Sequence, residues 1–147
     1  MLGYDHAPLA RVRQKALVWI LRPASGKDAG PEVLLLQRPE RRGGGLHPVT
    51  GKGDEGESAA ETAAREAEEE TGLRGDLLDL CLSHGFEGRN RKRFEEHAFL
   101  LKVAAGAKPR LSDEHIAFCW VRPDEARAAV SYPAHQATLE EALANWV

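Results

Sequence analysis

The chain has 147 residues, of which 42% are hydrophobic and 29% are charged, a length and composition typical of one domain with one core. The formal net charge of −3 argues against the strongly basic surface of a nucleic-acid-binding protein, and two cysteines are too few for a disulfide framework. No apolar run reaches 18 residues, and the N-terminus lacks the apolar core of a signal peptide. We therefore predict a single cytoplasmic domain over residues 1–147, without nucleic-acid or membrane partners.

The first third of the chain predicts two strands and a glycine-rich loop. The apolar runs "KALVWIL" (15–21) and "EVLLLQ" (32–37) favour strands, and the residues between them have turn composition. Residues 38–48, "RPERRGGGLHP", contain three consecutive glycines and predict a loop. The second run, 32–37, is expected to be buried on both faces.

An acidic helix is predicted next, beginning near Ser58. Ser58 and Glu61 have the spacing of a capping box, and Gly72 suits the left-handed residue that follows a helix. Small residues, namely Ala59, Ala60, Ala63 and Ala67, are expected on the face that packs against a sheet.

The second half predicts three more strands and two more helices. The strands are expected at 77–83, 93–103 and 115–121, and a short helix at 122–130. The final helix, 133–146, is expected to point Ala134, Ala137, Leu139, Ala142, Leu143 and Trp146 inwards. Strands mixed with helices predict the α/β class, with a mixed sheet flanked by helices.

Three glutamates of the acidic helix share one face. Glu66, Glu69 and Glu70 stand at i, i+3 and i+4, so their carboxylates repel one another when they are ionised. Glutamate-rich helices are commonly solvated surface faces. Here the carboxylates lack lysine partners one turn later, and a glycine-bearing turn suited to phosphates precedes the helix. Hard oxygen ligands on one face predict a site for Mg²⁺, or alternatively Mn²⁺.

The same stretch resembles the signature of the Nudix hydrolases, G-x5-E-x7-R-E-U-x-E-E-x-G-U, in which U is apolar. The matching residues lie within 51–73 and are Gly51, Glu57, Arg65, Glu66, Ala67, Glu69, Glu70, Gly72 and Leu73. A match at every position with the right spacing is a specific signal. A weaker similarity links "PVTGKGDEGE", "EHIAFCWV" and "YPAHQATLEEAL" to the dihydroneopterin triphosphate (or dATP) pyrophosphatase group.

The resemblance implies an α/β/α sandwich that hydrolyses a phosphoanhydride with the help of divalent metal. It implies that Glu66 and Glu70 are the main metal ligands and that Glu69 is a further ligand or the base. The Gly51 carbonyl is expected to complete the coordination. Arg65 is expected to pair with Glu57 and to hold the loop against the helix.

Residues outside the signature are expected to complete the site. Glu114 matches an acid used by the pterin-triphosphate group, and the alternatives are Glu95 or Glu96, of which strand alternation lets only one face the cleft. The predicted phosphate-binding cations are Arg38, Lys52, Arg91 and Arg93, with Arg89 as a neighbour of the last two.

The expected substrate is a small nucleotide-type molecule. The first hypothesis is a nucleoside or pterin triphosphate, cut to monophosphate and pyrophosphate. The alternatives are a dinucleoside polyphosphate or ADP-ribose, and, as a non-enzyme, a nucleotide-binding regulatory domain. The chain is expected to be a monomer or a homodimer.

Overall fold

The computed structural model describes residues 12–26 and 30–146. Within these residues the chain forms one seven-stranded mixed sheet and three α-helices. The strands are β1 (Val12–Pro23), β2 (Pro31–Gln37), β3 (Leu46–His47), β4 (Val49–Lys52), β5 (Asp76–Glu87), β6 (Arg93–Lys102) and β7 (Ala117–Val121), and the helices are α1 (Ala59–Thr71), α2 (Pro123–Ala129) and α3 (Pro133–Ala144). The predicted fold class is confirmed. The N-terminal residues that bear on a signal peptide lie outside the described residues.

The central strand of the sheet is β1, and its pairing explains where the sheet opens. It runs parallel to β6 along ten residue pairs. On its other side it pairs with β4 through Lys15 to Val18 and with β2 only from Leu21 onwards. Strand β2 meanwhile pairs with β7 and β3. The short strands β3 and β4 therefore lie where the sheet divides, directly before α1. The residues predicted as a loop at 38–48 include β3, which the two-residue pairing with β2 makes too short to predict from pattern.

Alternate residues of β1 supply two separate apolar cores. Ala16, Val18 and Ile20 pack on the face covered by α1, whereas Leu17, Trp19 and Leu21 pack on the face covered by α2 and α3. Side chains of a strand alternate between the two faces, so a continuous apolar run is the pattern of a strand buried on both sides. Helices on both faces make the molecule an α/β/α sandwich.

Helix α1 begins and ends as its sequence predicts. The Ser58 side chain accepts a hydrogen bond from the backbone N–H of Glu61, and the Glu61 carboxylate accepts one from the N–H of Ser58. Gly72 adopts φ 71° and its N–H donates to the carbonyl of Glu68. These bonds satisfy backbone groups that the helix itself leaves free, so they fix the helix register and with it the direction of each glutamate.

Replacing Ser58 with alanine is expected to lower the free energy of unfolding by about 1 kcal/mol, because the N–H of Glu61 loses its acceptor. Urea denaturation measures the change. Ser83→Ala, at an exposed strand position, is the matched control and should change stability by less than about 0.5 kcal/mol. Equal effects of the two substitutions would show that the cap does not stabilise α1.

Three details of the prediction are wrong. In α3, Ala137 is exposed and Thr138 is buried, because the Thr138 hydroxyl accepts a hydrogen bond of 2.8 Å from Nε1 of Trp19. In α1, Ala60 is exposed. Cys81 lies in an apolar stretch of the sequence, which predicts a buried free thiol, but it is exposed at an irregularity of β5 where its φ is 57°. At Thr138 a contact with a distant strand decides the orientation, whereas the bonds at Cys81 are local and join it to Asp79.

Candidate active site

The signature residues meet where β4 lies beside α1. The Glu66 side chain passes over the Cα of Gly51, so closely that a Cβ at position 51 would lie 2.1 Å from Cδ of Glu66. Only glycine leaves room for this carboxylate against the strand. The approach places the Gly51 backbone and the Glu66 carboxylate side by side, as the sequence predicts.

Arg65 connects the loop before α1 with the helix. Its Nε and Nη2 donate to the two oxygens of Glu57 at 2.7 and 3.0 Å, and Nη2 also donates to the carbonyl of Lys52 at 2.9 Å. Its Nη1 donates to Glu66 at 2.9 Å and to Glu69 at 3.1 Å. The guanidinium holds the pKa of Glu57 at about 2, with help from the N–H of Asp54 and the hydroxyl of Thr62. Arg65 therefore positions carboxylates, and the predicted pairing with Glu57 is present.

We expect Arg65→Lys to lower kcat by about tenfold, since an ammonium group cannot replace a fork that binds three carboxylates and a carbonyl. Steady-state phosphate-release kinetics and thermal unfolding measure the effect. Arg74→Lys is the matched control, because Arg74 pairs only with the exposed Glu68 among the described residues. If the two variants behaved alike, the Arg65 network would have no role in positioning the site.

A cavity of about 490 Å³ lies in front of this network. Two acidic residues, Glu70 of α1 and Glu114 from the segment before β7, form one part of its wall. The cationic part of the wall is formed by Arg38, Arg41, Arg42 and Arg89. Carboxylates and guanidinium groups thus face a common space, an arrangement that can hold a metal ion and phosphate groups together.

Glu70 is buried, with only 3% of its surface exposed. Burial, followed by the negative charges of Glu66 and Glu114, raises its pKa to about 9. The pKa of Glu66 is also raised, chiefly by burial and against the effect of the Arg65 guanidinium. Carboxyl groups so close together in a buried place cannot all ionise without a compensating positive charge.

The residues present fit a divalent cation. Among the described residues, Oε2 of Glu70 and Nδ1 of His115 are buried without a hydrogen-bond partner. Glu70, Glu114 and His115 each offer a ligand atom, and these atoms lie within 4.8 Å of one another. Buried polar atoms normally have partners, so the unpartnered atoms indicate that something outside the chain binds here.

A second cavity, of about 370 Å³, adjoins the first and shares Arg38 and Thr50 with it. Its wall contains aromatic rings, those of His84, Phe86 and Tyr132. His84 and Phe86 stack with centroids 5.7 Å apart. The buried Glu96 of β6 also lines this cavity, whereas Glu95 is partly exposed and pairs with His97.

The structure separates the predicted residues into two groups. The first group lies at the first cavity or in the hydrogen-bond network of Arg65. It consists of Gly51, Glu57, Arg65, Glu66, Glu70, Glu114 and Arg38. Glu69 has 58% of its side chain exposed and stays next to Glu66 only through their shared Arg65. Lys52 lines neighbouring surface depressions, and neither Arg91 nor Arg93 lines the first cavity.

Sequence reasoning missed His47 and His115 as part of the site. The spacing of the histidines in the sequence does not match a zinc motif, so no local pattern marks these two residues as ligands. Sequence reasoning also passed over Arg41 and Arg42, which the glycine-rich turn at Gly43 directs to the cavity. The cluster "ERRGGG" is the signal that could have found them, since basic residues beside flexible glycines favour anion contact.

Residues 12–143 match the family model of the NUDIX domain. The chain belongs to the NUDIX family. The match covers every strand and nearly all of α3, so the recognised family and the predicted fold are both confirmed.

This NUDIX domain covers a different share of each of two sequence relatives. An octanoyltransferase of Myxococcus xanthus is 42% identical over 123 residues, which are 80% of this chain but 34% of that protein. The chain thus spans about a third of that relative's length. A bis(5'-nucleosyl)-tetraphosphatase of Rattus norvegicus is 34% identical over 119 residues, covering 75% of this chain and 77% of the relative.

The solved structure of the Escherichia coli dihydroneopterin triphosphate pyrophosphohydrolase is similar to this NUDIX domain. It superposes with a TM-score of 0.73 and 25% identity, over 90% of this chain and 95% of the other. At the level of the domain, the predicted enzyme class, a NUDIX hydrolase of phosphorus-containing anhydrides, is confirmed. None of the helices in the described part of the chain has the length and apolar content needed to traverse a bilayer.

Proposed function

We propose that this NUDIX domain hydrolyses a phosphoanhydride bond of a nucleotide-type substrate with the help of Mg²⁺ or Mn²⁺. The proposal rests on the lining of the first cavity, where the buried carboxyl group of Glu70, the exposed one of Glu114 and four guanidinium groups face the same space. A phosphoanhydride resists attack because its own negative charge repels nucleophiles, so a catalyst must neutralise that charge and align a water molecule.

The metal-holding groups are carboxylates of two segments and one carbonyl. Glu66 and Glu70 of α1, Glu114 before β7 and the Gly51 carbonyl would hold the cation. When bound, the ion neutralises phosphate charge and makes a bound water more acidic. Arg65 and Glu57 act as positioning residues, because Arg65 donates to the carboxylate of Glu66 and Glu57 accepts from both Arg65 and the loop N–H of Asp54. Glu69 stays the predicted further ligand or base, reaching the site from its position beside Glu66.

The arginines bind the phosphates of the substrate. Guanidinium groups match phosphate oxygens with two parallel hydrogen bonds, and Arg38, Arg41, Arg42 and Arg89 surround the cavity. The Arg38 side chain also contacts the Thr50 hydroxyl at 3.5 Å, at the border of the second cavity. The aromatic rings of that cavity suit a base or pterin ring of the same substrate.

The first candidate substrate is a nucleoside or pterin triphosphate, which would be cut to monophosphate and pyrophosphate. It is supported by the similarity to the Escherichia coli pyrophosphohydrolase. The second candidate is a dinucleoside tetraphosphate, supported by the 34% identity to the rat tetraphosphatase. Four arginines around one cavity suit a long phosphate chain, which both candidates carry.

A substrate panel with product analysis tests the function. Nucleoside triphosphates, dihydroneopterin triphosphate and diadenosine tetraphosphate are incubated with Mg²⁺, and the products are separated by anion-exchange chromatography. Monophosphate with pyrophosphate supports the first candidate, and AMP with ATP supports the second. Turnover of none of them by a protein that binds Mg²⁺ would contradict the proposed reaction.

Arg89 and Arg91 allow a test of the phosphate contacts within one short helical turn. We expect Arg89→Ala to raise KM by about tenfold, because its guanidinium lines the cavity, while Arg91→Ala should change KM by less than about twofold. Steady-state kinetics on the best substrate of the panel measures both. A larger effect at Arg91 would support the assignment predicted from sequence.

A further inference from the structure

Two buried histidines line the first cavity together with Glu70 and Glu114. His47, at the end of β3, and His115, before β7, are 3% and 7% exposed. Their Nε2 atoms are 3.0 Å apart, a hydrogen-bond distance. Because His47 is held in β3 by its pairing with β2, this bond restrains the His115 ring, whose ligand atom lies within 4.8 Å of those of Glu70 and Glu114.

Whichever ring donates the hydrogen bond between the two imidazoles, Nδ1 of His115 is left without a partner among the described residues. In a bond between two imidazoles, one Nε2 carries the hydrogen and the other accepts it. When His115 is the donor, its Nδ1 has a free lone pair, and this atom lies 3.8 Å from Oε1 of Glu70. When His115 is the acceptor, its Nδ1–H is still too far from Glu70 for a hydrogen bond. Neither arrangement satisfies the nitrogen within the described chain, whereas a cation between the nitrogen and the carboxylates satisfies it.

The arrangement has the features of a histidine that binds metal. A metal-binding imidazole uses one nitrogen for the ion and donates its other N–H to a neighbouring acceptor, which His47 provides here. The ligand atoms of His115, Glu70 and Glu114 lie within 4.8 Å of one another. We propose that Nδ1 of His115 is a ligand of the cation, an inference that rests on the proposed metal site. This ligand makes the site prefer Mn²⁺ or Co²⁺ to Mg²⁺.

The chemistry of the ligands gives the direction of this preference. Mg²⁺ takes oxygen ligands and keeps several waters, so an imidazole adds little to its binding. Mn²⁺ and Co²⁺ accept nitrogen as well as oxygen, and Co²⁺ binds nitrogen more strongly than Mn²⁺. A site with carboxylates alone would lack this selectivity.

Pulsed electron paramagnetic resonance of the Mn²⁺-loaded full chain tests the proposal without an activity assay. We expect nitrogen hyperfine coupling that changes when histidine is labelled with ¹⁵N and disappears in His115→Gln. Calorimetric titration should show Mn²⁺ and Co²⁺ affinity reduced about tenfold in His115→Gln and Mg²⁺ affinity changed less than about twofold. His97→Gln is the matched control, since His97 pairs with Gln14 and Glu95 away from the cavity.

The outcomes separate this inference from the proposed function. Mn²⁺ binding and substrate hydrolysis without nitrogen coupling would overturn the role of His115 and leave the hydrolase proposal standing. Absence of any divalent binding would overturn both. If His115→Gln fails to fold, His115→Asn is the second variant, because ¹⁵N labelling of the wild-type chain shows that an imidazole is bound but does not identify which one.

Discussion

Glu70→Gln is expected to lower kcat by about 10²–10³-fold and, at the same time, to stabilise the metal-free protein. Glu70 is buried beside Glu66 and Glu114, and its pKa is about 9. Glutamine keeps the size of the side chain, cannot supply a charged oxygen to a cation, and can donate its N–H₂ to the neighbouring carboxylates. The reaction therefore needs the carboxylate of Glu70, although the metal-free fold would be more stable without it.

The sign of the pH dependence follows from the raised pKa. An unfolded glutamate titrates near 4.5, whereas Glu70 in the folded chain titrates near 9. Between these values the folded state binds more protons, so the stability contributed by Glu70 falls as the pH rises. Glutamine does not titrate, and the stabilisation by Glu70→Gln should therefore grow between pH 5 and pH 8.5, by up to about 1.4 kcal/mol per pH unit.

Urea denaturation in EDTA at pH 5, 7 and 8.5 measures the stability, and phosphate release with Mg²⁺ measures kcat. Glu68→Gln is the matched control, because Glu68 lies on the same helix but is exposed and pairs with Arg74. It should leave kcat unchanged and show no increase of stability with pH. A Glu70→Gln variant that is active, or destabilised at high pH, would remove Glu70 from the metal site.

Gly51→Ala is expected to lower kcat by about 10²-fold and the free energy of unfolding by about 1–3 kcal/mol. The new Cβ would lie 2.1 Å from Cδ and 2.3 Å from Cγ of Glu66. The carboxylate must move away, which separates it from Glu70 and from Nη1 of Arg65. The fold should persist, since the collision is with a side chain and the backbone of β4 can stay paired with β1.

A double-mutant cycle isolates the collision with Glu66. Glu66→Ala removes the obstructing side chain, so Gly51→Ala should cost little stability in that background. Gly85→Ala is the control for adding a methyl group to a strand, because its Cβ would meet the Phe94 carbonyl oxygen at an ordinary 3.6 Å. A Gly51→Ala protein with normal activity, or the same stability cost with and without Glu66, would contradict the close approach.

The sequence by itself determined the acidic helix, both of its ends and one of its ion pairs. The capping box at Ser58 and the left-handed Gly72 are local hydrogen-bonded motifs within a few residues, so they can be recognised without knowing the fold. The pairing of Arg65 with Glu57 also follows from the short signature. The apolar run of β2 predicted a strand buried on both faces, and its alternate residues do pack into the cores on the two sides of the sheet.

Only the tertiary structure decided which side chains share the cavity. His47 and His115 are 68 residues apart and meet because β3 and β7 both pair with β2. The helical spacing placed Glu66, Glu69 and Glu70 on one face, but packing buries Glu70 and exposes Glu69. Helical and strand periods fix directions relative to one element, whereas burial depends on what packs against that element. That information lies in contacts between distant segments, and no local pattern contains it.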